Sequence, residues 1–343
     1  MAAHGPRQEQ QPALPGVDEV ADGILRLQLP ISMPGLGHVN CYVVPDGEGC
    51  AVIDPGMPGT DAYATVVAKL AESGFEPRHV HTILITHSHP DHFGGAGRLA
   101  EESGADVVTH SAFKLWWSED PNDPCEQIHD VDPDDWPEGN PFDGPNPWGG
   151  PRHERPKGLV MTPQDFMPPR PTRRLRDGDR ITLGGREWQA IHTPGHTLDH
   201  MCLFYAEHGT FLSGDHVLPT ITPHISGIAS GRDPLAAFTA SLHKVADLPG
   251  VQKVLPAHGL VFEDLGGRVD AIVEHHHERL EKVVAIGKAL GPVAVESFSH
   301  ELFRPQVWGP MADSETYAHL EHLRLSGRAE RRDEGAVAVY EMV

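Results

Sequence analysis

The sequence predicts an α/β fold followed by a smaller helical domain. Three observations carry this expectation. Short apolar or alternating runs interleave with helix-spaced segments from Val17 onward, ligand-type side chains recur where those runs end, and the composition shifts near Leu265–Gly267. The length of 343 residues suits about two domains, since one domain takes roughly 100–200 residues.

Composition narrows the function classes. A hydrophobic content of 39% is enough for a buried core, which excludes a wholly disordered chain. The formal net charge of −22 repels phosphate backbones and anionic lipid at long range. No apolar stretch approaches the roughly 20 residues of a membrane span, and residues 1–16 read as a frayed polar tail without a secretory core. Cys41, Cys50, Cys125 and Cys202 are scattered and form neither a disulfide framework nor a CxxC knuckle. The expectation is a globular, cytoplasmic protein with no membrane partner.

Residues 23–31, 38–47 and 50–56 read as strands, each ending in a turn or strand-breaking residue. A helix is expected over 61–74, a β run over 79–87, a helix over 96–104 and a strand over 105–110. Residues 173–195 read as a meander turning at Asp177-Gly178 and Gly184-Gly185, and 200–215 as a hairpin around His208-Gly209. A helix over 233–250 and a strand over 251–259 close the first domain, spanning 17–265.

The stretch 115–170 departs from this pattern. It holds 12 prolines, 12 acidic residues, 4 basic ones and the tryptophans Trp116, Trp117, Trp136 and Trp148. Proline removes backbone donors, while aromatics argue against simple disorder. Such an insertion reads as an ordered substrate-side loop, with an oligomer contact, such as that of a homodimer, as the alternative. Beyond it, 266–343 contains a long helix (268–291), two shorter ones (near 294–303 and 313–326) and two terminal β runs. Helices ahead of a β ribbon outline a winged helix.

Twenty-four histidines invite a search for ligand spacing. A lone histidine is usually an ordinary surface or core residue. In THSHPDH, however, His87 and His89 lie two apart in extended backbone, so their imidazoles point one way, and Asp91 and His92 follow from the turn set by Pro90. His196 sits in the turn TPGHT after an apolar strand, Asp215 at the end of TFLSGD, and His258 after VQKVL. Five histidines and two aspartates exceed the three or four protein ligands of one zinc and suit two divalent metal ions. Zn2+ is favoured, and a thiol-free N/O set also admits Fe or Mn. The run 274–277 falls inside a helix, where successive residues point about 100° apart, and reads as solvated surface.

These motifs, HxHxDH followed by distant His, Asp and His in that order over 18–262, resemble the metallo-β-lactamase superfamily. The resemblance implies an αββα sandwich with the metals at one edge of its sheets. It implies that His87, His89 and His196 hold one metal, that Asp91, His92 and His258 hold the other, and that Asp215 bridges. Asp54, in AVIDPG, matches a family aspartate that orients ligands without being one. The C-terminal 266–343, with HTPGHTLDHM and SGDHVL, resembles a winged-helix-bearing subgroup, that of beta-lactamase-like protein 2, which includes a single-strand-directed endoribonuclease. His92 and Asp215 stand where true β-lactamases commonly differ, so antibiotic cleavage is disfavoured.

The expected chemistry is hydrolysis by a metal-bridging hydroxide, with Asp91 as catalytic proton acceptor. His200, His216 and His224 are candidates for orienting ligands or touching substrate. The expected substrate is a small ester, thioester or lactone, with single-stranded RNA the alternative. Residues 268–343 carry 9 basic against 13 acidic side chains, a net of −4, which disfavours nucleic acid and suggests packing or dimerisation for the winged helix.

Overall fold

The computed structural model describes residues 7–33, 35–114, 146–149, 168–228 and 230–343. Cys125 and most of the 115–170 insertion, including Trp116, Trp117 and Trp136, lie outside these residues. The first sheet contains β1 (Asp18–Ala21), β2 (Ile24–Met33), β3 (Leu36–Asp46) and β4 (Gly49–Ile53), followed by helix α1 (Thr60–Glu72) and β5 (Val80–Leu84). Helices α2 (Pro90–Phe93) and α3 (Ala96–Ser103), then β6 (Asp106–His110) and β7 (Arg173–Leu175), complete this half. Its seven strands run in sequence order, antiparallel from β1 to β4 and parallel from β4 to β7.

The second sheet contains β8 (Arg180–Leu183), β9 (Arg186–His192), β10 (Met201–Tyr205), β11 (Thr210–Gly214) and, after helix α4 (Pro234–Ala246), β12 (Lys253–Pro256). The Gly184-Gly185 and His208-Gly209 turns join hairpins as expected. The Asp177-Gly178 turn does not. It carries the chain from the edge of the first sheet, where β7 pairs parallel with β6, to β8 in the second. A single meander over 173–195 is therefore incorrect, because a three-residue strand can pair with whichever sheet edge lies free.

Strand alternation explains the layering. Val43 of β3 faces a core it shares with Val66 and Leu70 of α1 and Leu99 of α3, whereas Tyr42 and Val44 face the second sheet. There Trp188, Ala190 and Leu203 meet Ile53, Leu84 and Val108 between the sheets. Ile191, Phe204 and Phe211, on the far face, pack on Phe238 and Leu242 of α4 and on Val269 and Ile272 of α5 (Leu265–Leu290). The result is helix, sheet, sheet, helix.

The C-terminal part continues from α5 through β13 (Val293–Ala294), α6 (Val295–Leu302), α7 (Pro310–Leu325), β14 (Ala329–Glu334) and β15 (Val337–Met342). Its sheet has three strands, in the order β13-β15-β14. Two-residue β13 is too short to signal in the sequence. Trp148 is the described tryptophan of the insertion. It is buried against Tyr317, and its carbonyl accepts the Ala338 N–H at 3.0 Å.

Two expectations need correction. Residues 7–14 are not a frayed tail: Gln8–Gln10 form a 3-10 turn, and fully buried Glu9 accepts the N–H groups of Thr220 and Ile221 at 2.7 and 3.1 Å. Nor is the 274–277 run all solvated, because His276 is buried between α5 and α7 with Nδ1 3.2 Å from His319 Nε2. Among the described residues, Cys41, Cys50 and Cys202 are free buried thiols, and no helix is long and apolar enough to cross a membrane.

Candidate metal centre

Most of the predicted site residues arrive just past the end of a strand, while Asp91 and His92 sit in the short helix α2. Asp54 follows β4, His87 follows β5, His196 lies beyond β9, Asp215 follows β11, and His258 follows β12. Two main-chain contacts clamp the sheets together at this end: Met201 N–H to Thr86 C=O at 2.9 Å, and Asn40 N–H to Ala257 C=O at 2.6 Å. Gly214, at φ +51°, is needed here, because a Cβ would lie 2.6 Å from His200 Nε2.

The side chains converge in two groups, each with its ligand atoms within 4.8 Å of one another: His87, His89, His196 and Asp215, and beside them Asp91, His92 and His258. In the first, His89 Nδ1 lies 3.0 Å from both His87 Nε2 and His196 Nε2. A tetrahedral cation with metal–nitrogen bonds near 2.0–2.1 Å separates its ligands by about 3.3 Å, so this spacing fits one. In the second, His92 Nε2 and His258 Nε2 each lie 3.5 Å from Asp91 Oδ2. Asp215 stands between the groups, with Oδ1 3.2 Å from His258 Nε2 and Oδ2 3.5 Å from His196 Nε2.

Hydrogen bonds behind the ligands dictate which nitrogen is bare. His196 Nδ1–H donates to the His224 carbonyl at 2.7 Å, and His258 Nδ1–H to the His38 carbonyl at 2.6 Å. His92 Nδ1–H donates to Asp54 Oδ2 at 2.9 Å. The Thr86 hydroxyl gives its proton to the same carboxylate oxygen at 2.7 Å, so its own oxygen accepts from His87 Nδ1 at 3.0 Å. All four histidines thus turn Nε2 inward, where loss of any proton on it leaves the lone pair a metal requires. His92 Nε2, His258 Nε2 and Asp215 Oδ1 are buried without any hydrogen-bond partner. A cation supplies what such buried groups need, and the donor set fits one.

Burial opposes charge on His92, but the carboxylates of Asp91, Asp215 and Asp54 outweigh it and hold this imidazole well above its usual range. His258 is raised likewise against burial, by Asp215 and Asp91. Burial would raise Asp91 and Asp215, yet His92 and His258 hold both below the usual carboxylate range. On the other side, burial pushes His87 well down and, with His196 beside it, His89 down to about 3. In the metal-free cluster His92 and His258 therefore pair with Asp91 and Asp215, whereas burial keeps His87 and His89 neutral.

The remaining candidates take distinct places. Asp54 adopts a left-handed φ of 52°, a conformation uncommon outside glycine, and accepts the Thr86 N–H at 2.8 Å in addition to its two other bonds. His200 is fully buried: its Nε2 accepts the Asp215 N–H at 3.0 Å and its Nδ1–H donates to Thr193 at 2.7 Å, so it orients Asp215 and does not face a ligand. His216 is equally buried, edge-on to Phe238. His224 stays half-buried, holding His196 through its carbonyl and Glu315 through Nδ1. Sequence reasoning missed Thr86, His38 and Glu315. Thr86 borders the motif, while nothing local marks the other two.

An αββα sandwich with His and Asp clusters at one sheet edge defines a class of metal-dependent hydrolases. The metallo-beta-lactamase superfamily model matches residues 34–258, and the chain belongs to that family. It is 29% identical over 278 residues to the lactamase-like protein vrtG of Penicillium aethiopicum, covering 80% of this chain and 68% of that one. It is 22% identical over 296 residues to the beta-lactamase-like protein 2 homolog of Caenorhabditis elegans, covering 85% and 80%. Among solved structures, a metallo-beta-lactamase family protein of Thermus thermophilus superposes with a TM-score of 0.75 at 28% identity, covering 94% of this chain and 99% of that one. A beta-lactamase domain protein of Burkholderia ambifaria gives 0.75 at 26%, covering 97% and 96%. These superpositions leave at most a few per cent of the chain uncovered, so the C-terminal helices and strands are part of the shared fold.

Proposed function

We propose that the protein is a dinuclear hydrolase of a small ester, thioester or lactone. His87, His89 and His196 would hold one divalent cation, Asp91, His92 and His258 the other, with Asp215 shared. The observation that carries this reading is the pair of ligand groups meeting at Asp215 around partnerless buried donor atoms. A thiol-free set of imidazoles and carboxylates favours Zn2+ and admits Fe or Mn. A pair of cations held by these residues would supply a water of lowered pKa and polarisation of the electrophile's oxygen. Asp91, buried and with its carboxyl held below the usual range by His92 and His258, would take the proton from the attacking water. Asp54 and His200 keep His92 and Asp215 aimed throughout.

The C-terminal domain has the helix and strand order of a winged helix, which raises the single-stranded RNA alternative. Its net charge of −4 and the burial of α7 count against this. Ten of the sixteen residues of α7, the helix such a domain would offer to a nucleic acid, are buried. We read the domain as a packing element. The test is metal analysis of the purified protein coupled to a panel of esters, thioesters, lactones and a labelled single-stranded RNA. Cleavage of an acyl substrate that is lost in Asp91→Asn, with the fold retained, supports the reading. Full activity in that variant or after complete chelation overturns it, and cleavage of the RNA alone selects the alternative.

A further inference from the structure

The catalytic domain does not hold His196 unaided. The carbonyl that receives its Nδ1 proton belongs to His224, in the loop after Asp215, and that loop rests on the C-terminal domain. His224 Nδ1–H donates to Glu315 Oε2 of α7 at 3.3 Å, while Arg279 of α5 binds the other oxygen of the same carboxylate. Three residues on, the Gly227 N–H donates to Ser314 Oγ at 3.0 Å, and a Cβ at Gly227 would lie 2.5 Å from the Tyr317 ring. The loop is therefore registered against α7 on two sides of one turn.

We propose that Glu315 is a positioning residue for the metal centre, acting through His224 on His196. The inference rests on the dinuclear reading above and deepens it. The C-terminal domain becomes a working part of the hydrolase, setting the ligand geometry of the cation held by His87, His89 and His196. Cutting the link leaves His196 and its carbonyl acceptor in place but loosens the loop that carries that carbonyl, so that cation is held less tightly while the other is not disturbed. Losses of this kind run to about 10–100-fold in metal affinity.

His224→Ala removes the side-chain link and leaves the main-chain carbonyl and the Arg279–Glu315 pair intact. His224→Asn puts a donor nitrogen back at the same branch of the side chain, where Nδ1 had been. Competition with a chromophoric chelator, read for each of the two zinc ions, should show one weakened about 10–100-fold in His224→Ala and restored in His224→Asn. Glu315→Ala should weaken the same ion, and the double variant should be no weaker than the single ones, because both changes cut one link. The metal-free proteins give an independent readout: the His196 Nδ1–H should lose its protection from exchange in His224→Ala and Glu315→Ala and keep it in His224→Asn. Wild-type retention of both ions in His224→Ala and Glu315→Ala overturns the proposal, as do losses that add in the double variant. Failure of the wild type to bind two ions strikes the dinuclear reading instead.

Discussion

Replacing Asp54 by Asn tests whether ligand orientation is decided behind the ligands. The substitution keeps size and tolerates the left-handed backbone at φ 52°, so the chemistry is isolated from strain. Asp54 accepts three hydrogen bonds: Thr86 N–H on Oδ1, and the Thr86 hydroxyl and His92 Nδ1–H on Oδ2. An asparagine has one acceptor oxygen. With its NH2 toward the Thr86 amide, two donors oppose each other and neither can turn away. With its NH2 at the Oδ2 position, the Thr86 hydroxyl must reverse and His92 must take an amide proton on Nδ1. Both His87 and His92 then carry their remaining proton on Nε2, toward the metals. Each mispaired donor in a buried, charge-assisted network costs about 1.5–3 kcal/mol. That corresponds to about 10–100-fold in metal affinity. Chelator competition on the purified variant, with thermal melting of the metal-free form as a folding control, measures it. Retention of both ions with wild-type affinity would refute the argument.

Other consequences follow from the same geometry. Carboxylates hold the His92 and His258 imidazoles above their usual range in the metal-free protein, so metal uptake should expel protons and tighten as pH rises. Calorimetry in two buffers of different ionisation heat measures this, and zero release contradicts it. Burial pushes the Asp199 carboxyl up to about 6. A raised carboxyl binds its proton more tightly when folded, so this group's contribution to stability falls as pH climbs from about 4 through 6. Asp199→Asn should abolish up to about 3 kcal/mol of that decline in denaturant titrations, and an unchanged pH profile would count against it. Trp148→Ala should cost about 3–5 kcal/mol and lower hydrogen-exchange protection in β15, because the side chain fills the C-terminal core. Unchanged protection there would show that the insertion does not brace that domain.

The ligand motif was legible because it is local. His87, His89, Asp91 and His92 share six residues at a strand end, and each distant ligand sits in a turn whose strand is visible from its own alternation. Helix and strand positions followed for the same reason, since period and turn chemistry act over a few residues. The misread parts lack such a local signature. A three-residue β7 carries no mark of which sheet it joins, and polar residues 7–14 do not announce that Glu9 will be fully buried under Thr220. His276 looks like its solvated neighbours until α7 packs over it.

By itself, the sequence determined the layered α/β plan, the candidate ligand residues and their delivery near strand ends, because hydrophobic period and turn residues encode these within short windows. The tertiary structure alone decided which atoms of those ligands face inward. Asp54 reaches Thr86 and His92 across 32 and 38 positions, and Glu315 reaches His224 across 91. Hydrogen bonds between segments so far apart exist only once the sheets and the C-terminal domain have packed, and no local pattern carries them.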